Sequence, residues 1–491
     1  VRGVIEGFRK NNIPLSAIYL DIDYMDGYRV FTFNKAAFPD MKGLADFMAE
    51  YGTHLITIIE PSVKFDPGYR IYDEGLKNDM FIKYPDGSIV YAPVWAGMSA
   101  FPDFSRSDVA IWWGRQYDQM IEAGVSGFWH DMNEPAVFTG WGENSMADSA
   151  VQSTGRHEDV HNLFGFYMAK AAFEHLSKGK RPFILSRSGW AGISRYAWVW
   201  TGDAETSWKE LKQNMITMIN LSLSGVVYVG CDIGGFTGSP TGELFIRWLQ
   251  LGFFFPLFRV HSSKNTKRRE PWEFGKYSDI AGDTIRLRHR LLPYIYTIAH
   301  ASHEYGIPMV KPVFWNDERN ERLYAVDDEF LFGDSILAAP VVNEGRTFRS
   351  VIFPAGRWYD FYSDGVFEGQ AEIEAGIEKV PFFIAEGSII PTEEGKKIVI
   401  NIYFSQRGMK GQLYSDGDGD ENMIDIFSVS AEGNMNWTRE GKYEGVYGEY
   451  NFRFHGISVV SVSIDGKSAV ISDNAFSSDK KFENANIEFK I

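Results

Sequence analysis

Hydrophobic positions in the first dozen residues recur at helical spacing, at Val4, Ile5 and Phe8, and give way past Asn11, Asn12 and Pro14 to a continuous apolar run at 17–20. The pattern then repeats. A helix is predicted over 41–51 with Gly52 as its stop, followed by an apolar run at 55–59 that ends on Glu60 and Pro61. After a long excursion over 62–107, a helix over 108–123 stops at Gly124 and a strand over 127–131 follows. Further short apolar strands are expected at 183–185, 197–200, 226–229 and 254–260, which makes seven in all. Strands apolar on both faces, alternating with helices, predict a parallel sheet covered by helices. Ser207 and Glu210 read as a capping box ahead of a helix over 211–223, and one long helix is predicted over 280–305. Between Arg187 and Ala197 the spacing is too short for a helical crossover, so a loop is expected there.

From Pro312 the texture changes to short alternating runs separated by Gly, Asp and Asn, as at 350–353 and 398–402, which predicts antiparallel β-structure. The polar stretch 391–397 reads as a junction between two sandwiches. The expected organisation is therefore an α/β domain over 1–311, a proximal β-sandwich over 312–394 and a distal one over 395–491.

The predicted strands all end in polar groups: Asp21 and Asp23, Glu60, Asp131, Arg187, Asp203, Asp232 and His261. Packing gives a core strand no reason to end in charge. In a closed (β/α)8 TIM-type barrel the C-terminal rim is where the active site is built, and one polar group per strand end is the expected result. A doubly wound open sheet would concentrate its ligand at a single switch point and accounts for fewer of these residues. Because the chain opens with a helix, and in a βα unit the helix follows its strand, the first barrel strand is expected upstream of Val1, on a preceding segment or a separate chain. The first residue is not Met and no signal-peptide core follows it, which reads as a start partway along a gene product.

Composition narrows the partners. With 49 Lys and Arg against 65 Asp and Glu among 491 residues, the net charge of −16 disfavours nucleic acid and anionic membranes. The most apolar run, 251–258, is far shorter than the roughly 20 residues of a membrane-spanning helix. The single cysteine, Cys231, excludes an intrachain disulfide framework and cysteine-rich metal clusters, and a reducing, cytoplasmic location is expected. Association into a homo-oligomer is compatible with this reading. Aromatic residues make up 15% of the chain, which suits stacking on sugar faces and equally suits a large aromatic core.

Two strand-end motifs carry candidate chemistry: Trp129-His130-Asp131-Met132-Asn133-Glu134-Pro135 and Trp198-Val199-Trp200-Thr201-Gly202-Asp203. Their acids stand 72 residues apart in sequence. Glycosidic bond hydrolysis needs two carboxyl groups, one acting as nucleophile or base and the other as proton donor. Together with Leu20-Asp21-Ile22-Asp23-Tyr24-Met25-Asp26, Ser99-Ala100-Phe101-Pro102-Asp103-Phe104, Ser186-Arg187-Ser188, Asp232-Ile233-Gly234-Gly235-Phe236 and, further on, Pro354-Ala355-Gly356-Arg357-Trp358-Tyr359-Asp360 and Gly387-Ser388-Ile389-Ile390-Pro391, these motifs resemble the retaining α-glucosidases of glycoside hydrolase family 31.

The resemblance implies Asp131 as nucleophile and Asp203 as general acid/base. It implies Asp21, Arg187, Asp232 and His261 as partners of the sugar hydroxyls, and Trp95, Trp129, Met132, Trp200 and Phe236 as walls of the sugar subsite. It also implies an exo-acting retaining enzyme on malto-oligosaccharides, with no metal and no cofactor. Met132-Asn133-Glu134 resembles the glucosidase branch. Glu60 departs from the family pattern, which has Asp in many members, so no role is carried to it. An α-xylosidase or α-glucosyltransferase on the same two acids, and a non-catalytic sugar-binding or assembly subunit, are the alternatives.

Other motifs compete weakly. His157-Glu158-Asp159-Val160-His161 satisfies H-E-x-x-H, but no third histidine follows at metzincin spacing and Ser153-Thr154-Gly155-Arg156 before it reads as loop. The acidic stretch 416–420 departs from a calcium loop at Glu421 and Phe427 and is expected to be a hairpin turn. The basic run 264–270 is expected to be a solvated loop.

Overall fold

The structure, a computed structural model, describes residues 1–139, 142–178, 181–417, 421–445 and 447–490. The acidic turn expected over 416–420 therefore lies, from Asp418 on, outside the described residues. The chain folds into two compact units, Val1–Gly202 and Asp203–Ile491.

In the first unit five parallel strands lie side by side in chain order: β1 (Ala17–Leu20), β2 (His54–Ile59), β3 (Gly127–His130), β4 (Phe183–Ser186) and β5 (Trp198–Trp200). Every residue of β3 is buried, and so is all of β2 after His54. This is why their sequences run apolar without alternating. Gly127 opens β3 because a Cβ there would lie 2.7 Å from Ile56 Cδ1 and 3.0 Å from Phe183 Cδ1 on the two flanking strands. The helix Met41–Glu50 is capped by Asp40, whose Oδ1 accepts from Gly43 N at 2.8 Å. It buries Met41, Leu44, Ala45 and Met48 at helical spacing, each large side chain contributing roughly 1.5–3 kcal/mol. The excursion after β2 forms its own three-stranded sheet of Val63–Lys64, Gly97–Ala100 and Tyr91–Val94.

The second unit holds the parallel pair β6 (Val229–Asp232) and β7 (Leu257–Arg259), with the helix Gly242–Gly252 between them. The apolar runs at 226–229 and 254–260 thus extend beyond the strands, because the turns leading into them are buried too. The helix Trp208–Leu223 starts as expected, with Glu210 N donating to Ser207 Oγ at 3.1 Å. The helix predicted over 280–305 is two helices, Ser278–Arg290 and Leu292–Tyr305, since Pro293 has no N–H to continue the ladder. The helix predicted over 108–123 likewise breaks at Tyr117. The stretch after Arg187 holds only a short 3₁₀ turn, Ile193–Arg195, as its spacing required.

The C-terminal half is built of antiparallel sheets. A six-stranded sheet runs from Val310–Pro312 to Val366–Phe367 around a core that includes Leu331, Leu337, Phe353, Trp358 and Phe383. The segment read as a junction over 391–397 is instead a hairpin. Ile389–Glu394 pairs with Lys397–Tyr403, and only the two residues between them turn. Its acids, Glu393 and Glu394, are the half-buried end of a strand, next to the buried Thr392. One pair here is parallel, Lys397–Tyr403 with Tyr450–His455.

The distal core closes over a buried carboxylate. Asp425 is fully buried and accepts from Trp437 Nε1 at 2.8 Å, Arg439 Nε at 2.7 Å and Tyr450 Oη at 2.7 Å. Asp425→Ala strands a half-buried guanidinium and two buried donors. It should lower stability by about 3–5 kcal/mol, read by urea unfolding.

Candidate active site

The strand ends of the first unit converge on Asp131. It follows β3 directly, two residues beyond Trp129 and on the same side of the strand. In the parallel register Ser186 pairs with His130, so Arg187 is the next position beside Asp131, and the Arg187 amide donates to His130 O at 2.9 Å. Arg187 Nη1 lies 3.2 Å from Asp131 Oδ1. The same guanidinium grips Glu134 through Nε to Oε1 and Nη2 to Oε2, each 2.9 Å, and Nη2 also donates to Met132 Sδ at 3.2 Å.

Two sequence motifs form this one clamp. Asn133 Nδ2 donates to Ser186 Oγ at 2.8 Å and its Oδ1 accepts from Ser188 N at 3.0 Å, so the residues flanking Arg187 are tied to the residues following Asp131. Met132, at φ 58°, takes the left-handed turn that swings Asn133 and Glu134 under the arginine. Arg187→Lys keeps the charge but cannot hold Glu134 bidentately. With charged hydrogen bonds worth about 1.5–3 kcal/mol, kcat/KM should fall roughly 10–100-fold.

Trp129 and Trp200 are both buried, with ring centroids 5.8 Å apart and nearly perpendicular planes. Trp95 stands on the hairpin of the excursion, half exposed, its ring 4.8 Å edge-on to Phe138. Asp21 follows β1 exposed, its Oδ1 accepting from the amide of Ile22 at 2.7 Å. Buried under this rim, His130 is pushed down to about 3 by desolvation and bonds Tyr117 Oη at 2.8 Å. A histidine that the fold keeps neutral favours the unfolded state once pH drops below about 6.5. The thermal midpoint should therefore fall between pH 6.5 and 4, and less steeply in His130→Gln.

The second unit carries the other residues, locked by two loops. Asp203 is exposed. The next residue, Ala204, accepts from the amide of Phe236 at 2.7 Å, and Thr206 N donates to Thr237 O at 2.9 Å. This zipper needs Gly235 at φ 78°, where a Cβ would lie 2.7 Å from Thr206 Cα. Asp232 ends β6 opposite Arg259 of β7, with Arg259 Nη2 at 2.6 Å from its Oδ1 and both side chains buried. Burial pushes Asp232 up to about 6, against the pull of Arg259. His261 lies beside Phe236, ring centroids 5.2 Å apart, and is pushed down to about 3 by burial and by Arg259 and Arg269.

Sequence reasoning missed four residues. Arg269 belongs to the run expected to be solvated, yet it is buried and donates to His261 O at 3.1 Å and Gly238 O at 2.7 Å. Charge alone did not separate it from its exposed neighbours. Arg259 could have been found from strand period, two residues before His261. Glu134 was visible in its motif. Glu60, given no role, is buried at the strand end beside Asp131. The H-E-x-x-H pair is bound internally: His157 Nε2 lies 2.8 Å from Ser145 Oγ and 3.0 Å from His161 Nδ1. Among the described residues no three His, Cys, Asp or Glu side chains group to hold a metal ion, and no helix is long and apolar enough to cross a membrane.

Residues 1–298 match "Glycosyl hydrolases family 31 TIM-barrel domain" and residues 306–390 match "Glycosyl hydrolase family 31 C-terminal domain". The chain belongs to glycoside hydrolase family 31, and its fold is a TIM-type barrel followed by β-sandwich domains. Alpha-glucosidase 2 of Bacillus thermoamyloliquefaciens is 41% identical over 438 residues, 85% of this chain and 55% of that protein. The Tris-bound glucosidase II alpha subunit superposes with a TM-score of 0.90 at 27% identity, over 100% of this chain and 60% of that one. A GH31 dextranase of Flavobacterium johnsoniae gives a TM-score of 0.90 at 25% identity, over 99% and 68%. The chain spans about half the length of the curated relatives it matches.

Proposed function

We propose that this chain carries the catalytic residues of a retaining exo-α-glucosidase that removes terminal α-linked glucose from malto-oligosaccharides. The observation that carries the reading is the clamp on Asp131. A carboxylate directly after β3, two residues beyond the buried Trp129 and held by Arg187 at 3.2 Å, supports the reading of Asp131 as nucleophile. The 41% identical relative, an alpha-glucosidase, supports the choice of glucose.

In this mechanism Asp131 attacks the anomeric carbon from the β face while Asp203 gives its proton to the leaving glycosidic oxygen. The ester intermediate has β configuration. Asp203, now ionised, takes a proton from water, which attacks from the α face and releases α-glucose. Asp232 and His261 form, with Arg259 and Arg269 behind them, a rigid set of hydrogen-bonding groups for sugar hydroxyls. A neutral His261 can both donate and accept.

The test is product analysis with maltose, isomaltose and an aryl α-xyloside, the first-formed anomer read by proton NMR. Glucose released first as the α anomer is expected. Faster release of xylose, or β-glucose as the first product, would overturn the reading.

A further inference from the structure

Glu60 is a buried charge-bearing group with nothing to hold its charge. Only 1% of it is exposed, and neither carboxylate oxygen has a hydrogen-bond partner among the described residues. It directly follows β2, and since Ile59 pairs with His130, it occupies the register position beside Asp131 on the side opposite Arg187. The backbone fixes this approach, with the Asp131 amide donating to Ile59 O at 3.3 Å. The nucleophile thus sits between a cation on one strand end and a carboxyl group on the other.

A buried carboxylate without donors costs several kcal/mol, and the group avoids the cost by keeping its proton. The groups facing Glu60 push the same way. Asp131 and Asp21 repel a negative charge there, Tyr24 offers none to balance it, and the single cation, Arg187, is already shared between Asp131 and Glu134. Burial first, then the two aspartates, raise Glu60 to about 8, against Arg187.

We infer that Glu60 is a positioning residue for Asp131: an uncharged carboxylic acid that fills the position opposite Arg187 without adding a charge there and leaves the arginine's charge to the nucleophile. The inference rests on the reading of Asp131 as nucleophile. When Glu60 ionises, three carboxylates compete for Arg187, and the orientation of Asp131 is lost. A misplacement on the order of 1 Å at a reacting group can cost about 100-fold in rate.

The experiment separates this ionisation from that of the general acid. With α-glucosyl fluoride the leaving group needs no proton, so Asp203 drops out of the alkaline limb of kcat/KM and Glu60 remains. The wild-type protein should lose activity about tenfold per pH unit on that limb. Glu60→Gln, which keeps the size of the neutral acid and cannot ionise, should lose the limb while its kcat at pH 6 falls less than about tenfold. Glu60→Leu, which likewise cannot ionise, should lose the limb as well. Independently of turnover, infrared difference spectra at neutral pH should contain a carboxylic acid carbonyl band that Glu60→Gln lacks. That subtraction separates it from Glu329, also raised by burial. Absence of the band, or an alkaline limb unchanged in Glu60→Gln, overturns the proposal. A 5-fluoroglucosyl fluoride that labels Asp131 while the Glu60→Gln limb is unchanged sinks this inference alone. Turnover without labelling of Asp131 sinks it together with the reading of the site.

Discussion

Replacing Asp131 by glycine is expected to lower hydrolysis of an activated aryl α-glucoside by on the order of 10⁴-fold or more, and added azide is expected to restore turnover with β-glucosyl azide as product. In the proposed mechanism the side chain that attacks from the β face is gone, and the space it leaves lies beside Arg187, whose charge can hold a small anion where the carboxylate stood. Direct attack from that face on an α-glucoside inverts once. Chromatography and NMR of the azide adduct decide the matter, since an α-azide would mean that the nucleophile lies elsewhere. Undiminished activity would remove Asp131 from the chemistry altogether.

The second large effect is expected at Asp203, and its signature has the opposite stereochemistry. Asp203→Ala should lower kcat/KM for maltose by about 10²–10⁴-fold, because the glucose leaving group departs poorly without a proton. Cleavage of α-glucosyl fluoride should suffer far less. Azide should then intercept the β-linked ester on Asp131 and give α-glucosyl azide, the product of two inversions. Equal losses on both substrates would count against Asp203 as the proton donor. The pair of azide products is the sharper test, since a merely structural lesion at either residue cannot yield opposite anomers.

These expectations were largely legible in the chain before folding. Apolar strands with no alternation announced a sheet covered on both faces, and the structure places β1 to β5 side by side in chain order. The acids at the ends of these runs stand out because water, not packing, is the ordinary partner of a strand-end carboxylate. Where sequence reading went astray, the reason is local. Pro293 splits a helix that hydrophobic spacing alone would continue, and Ile389–Glu394 carries its acids on a half-buried strand end whose sequence resembles a linker.

The amino-acid sequence by itself determined which residues are chemically able to act: the two acid motifs, the arginine between two serines, and the double glycine whose left-handed second member lets the Phe236 loop zip onto Ala204. Only the tertiary structure decided what those residues are bonded to. Nothing in the run 264–270 separates Arg269 from the solvated lysines around it until His261 and Gly238 offer it carbonyls. Nothing in Glu60-Pro61 says that the acid is buried without a donor. Charge state in a protein interior is set by the few groups within hydrogen-bonding reach and by the exclusion of water. Those neighbours come from strands far apart along the chain, brought together by register rather than by spacing.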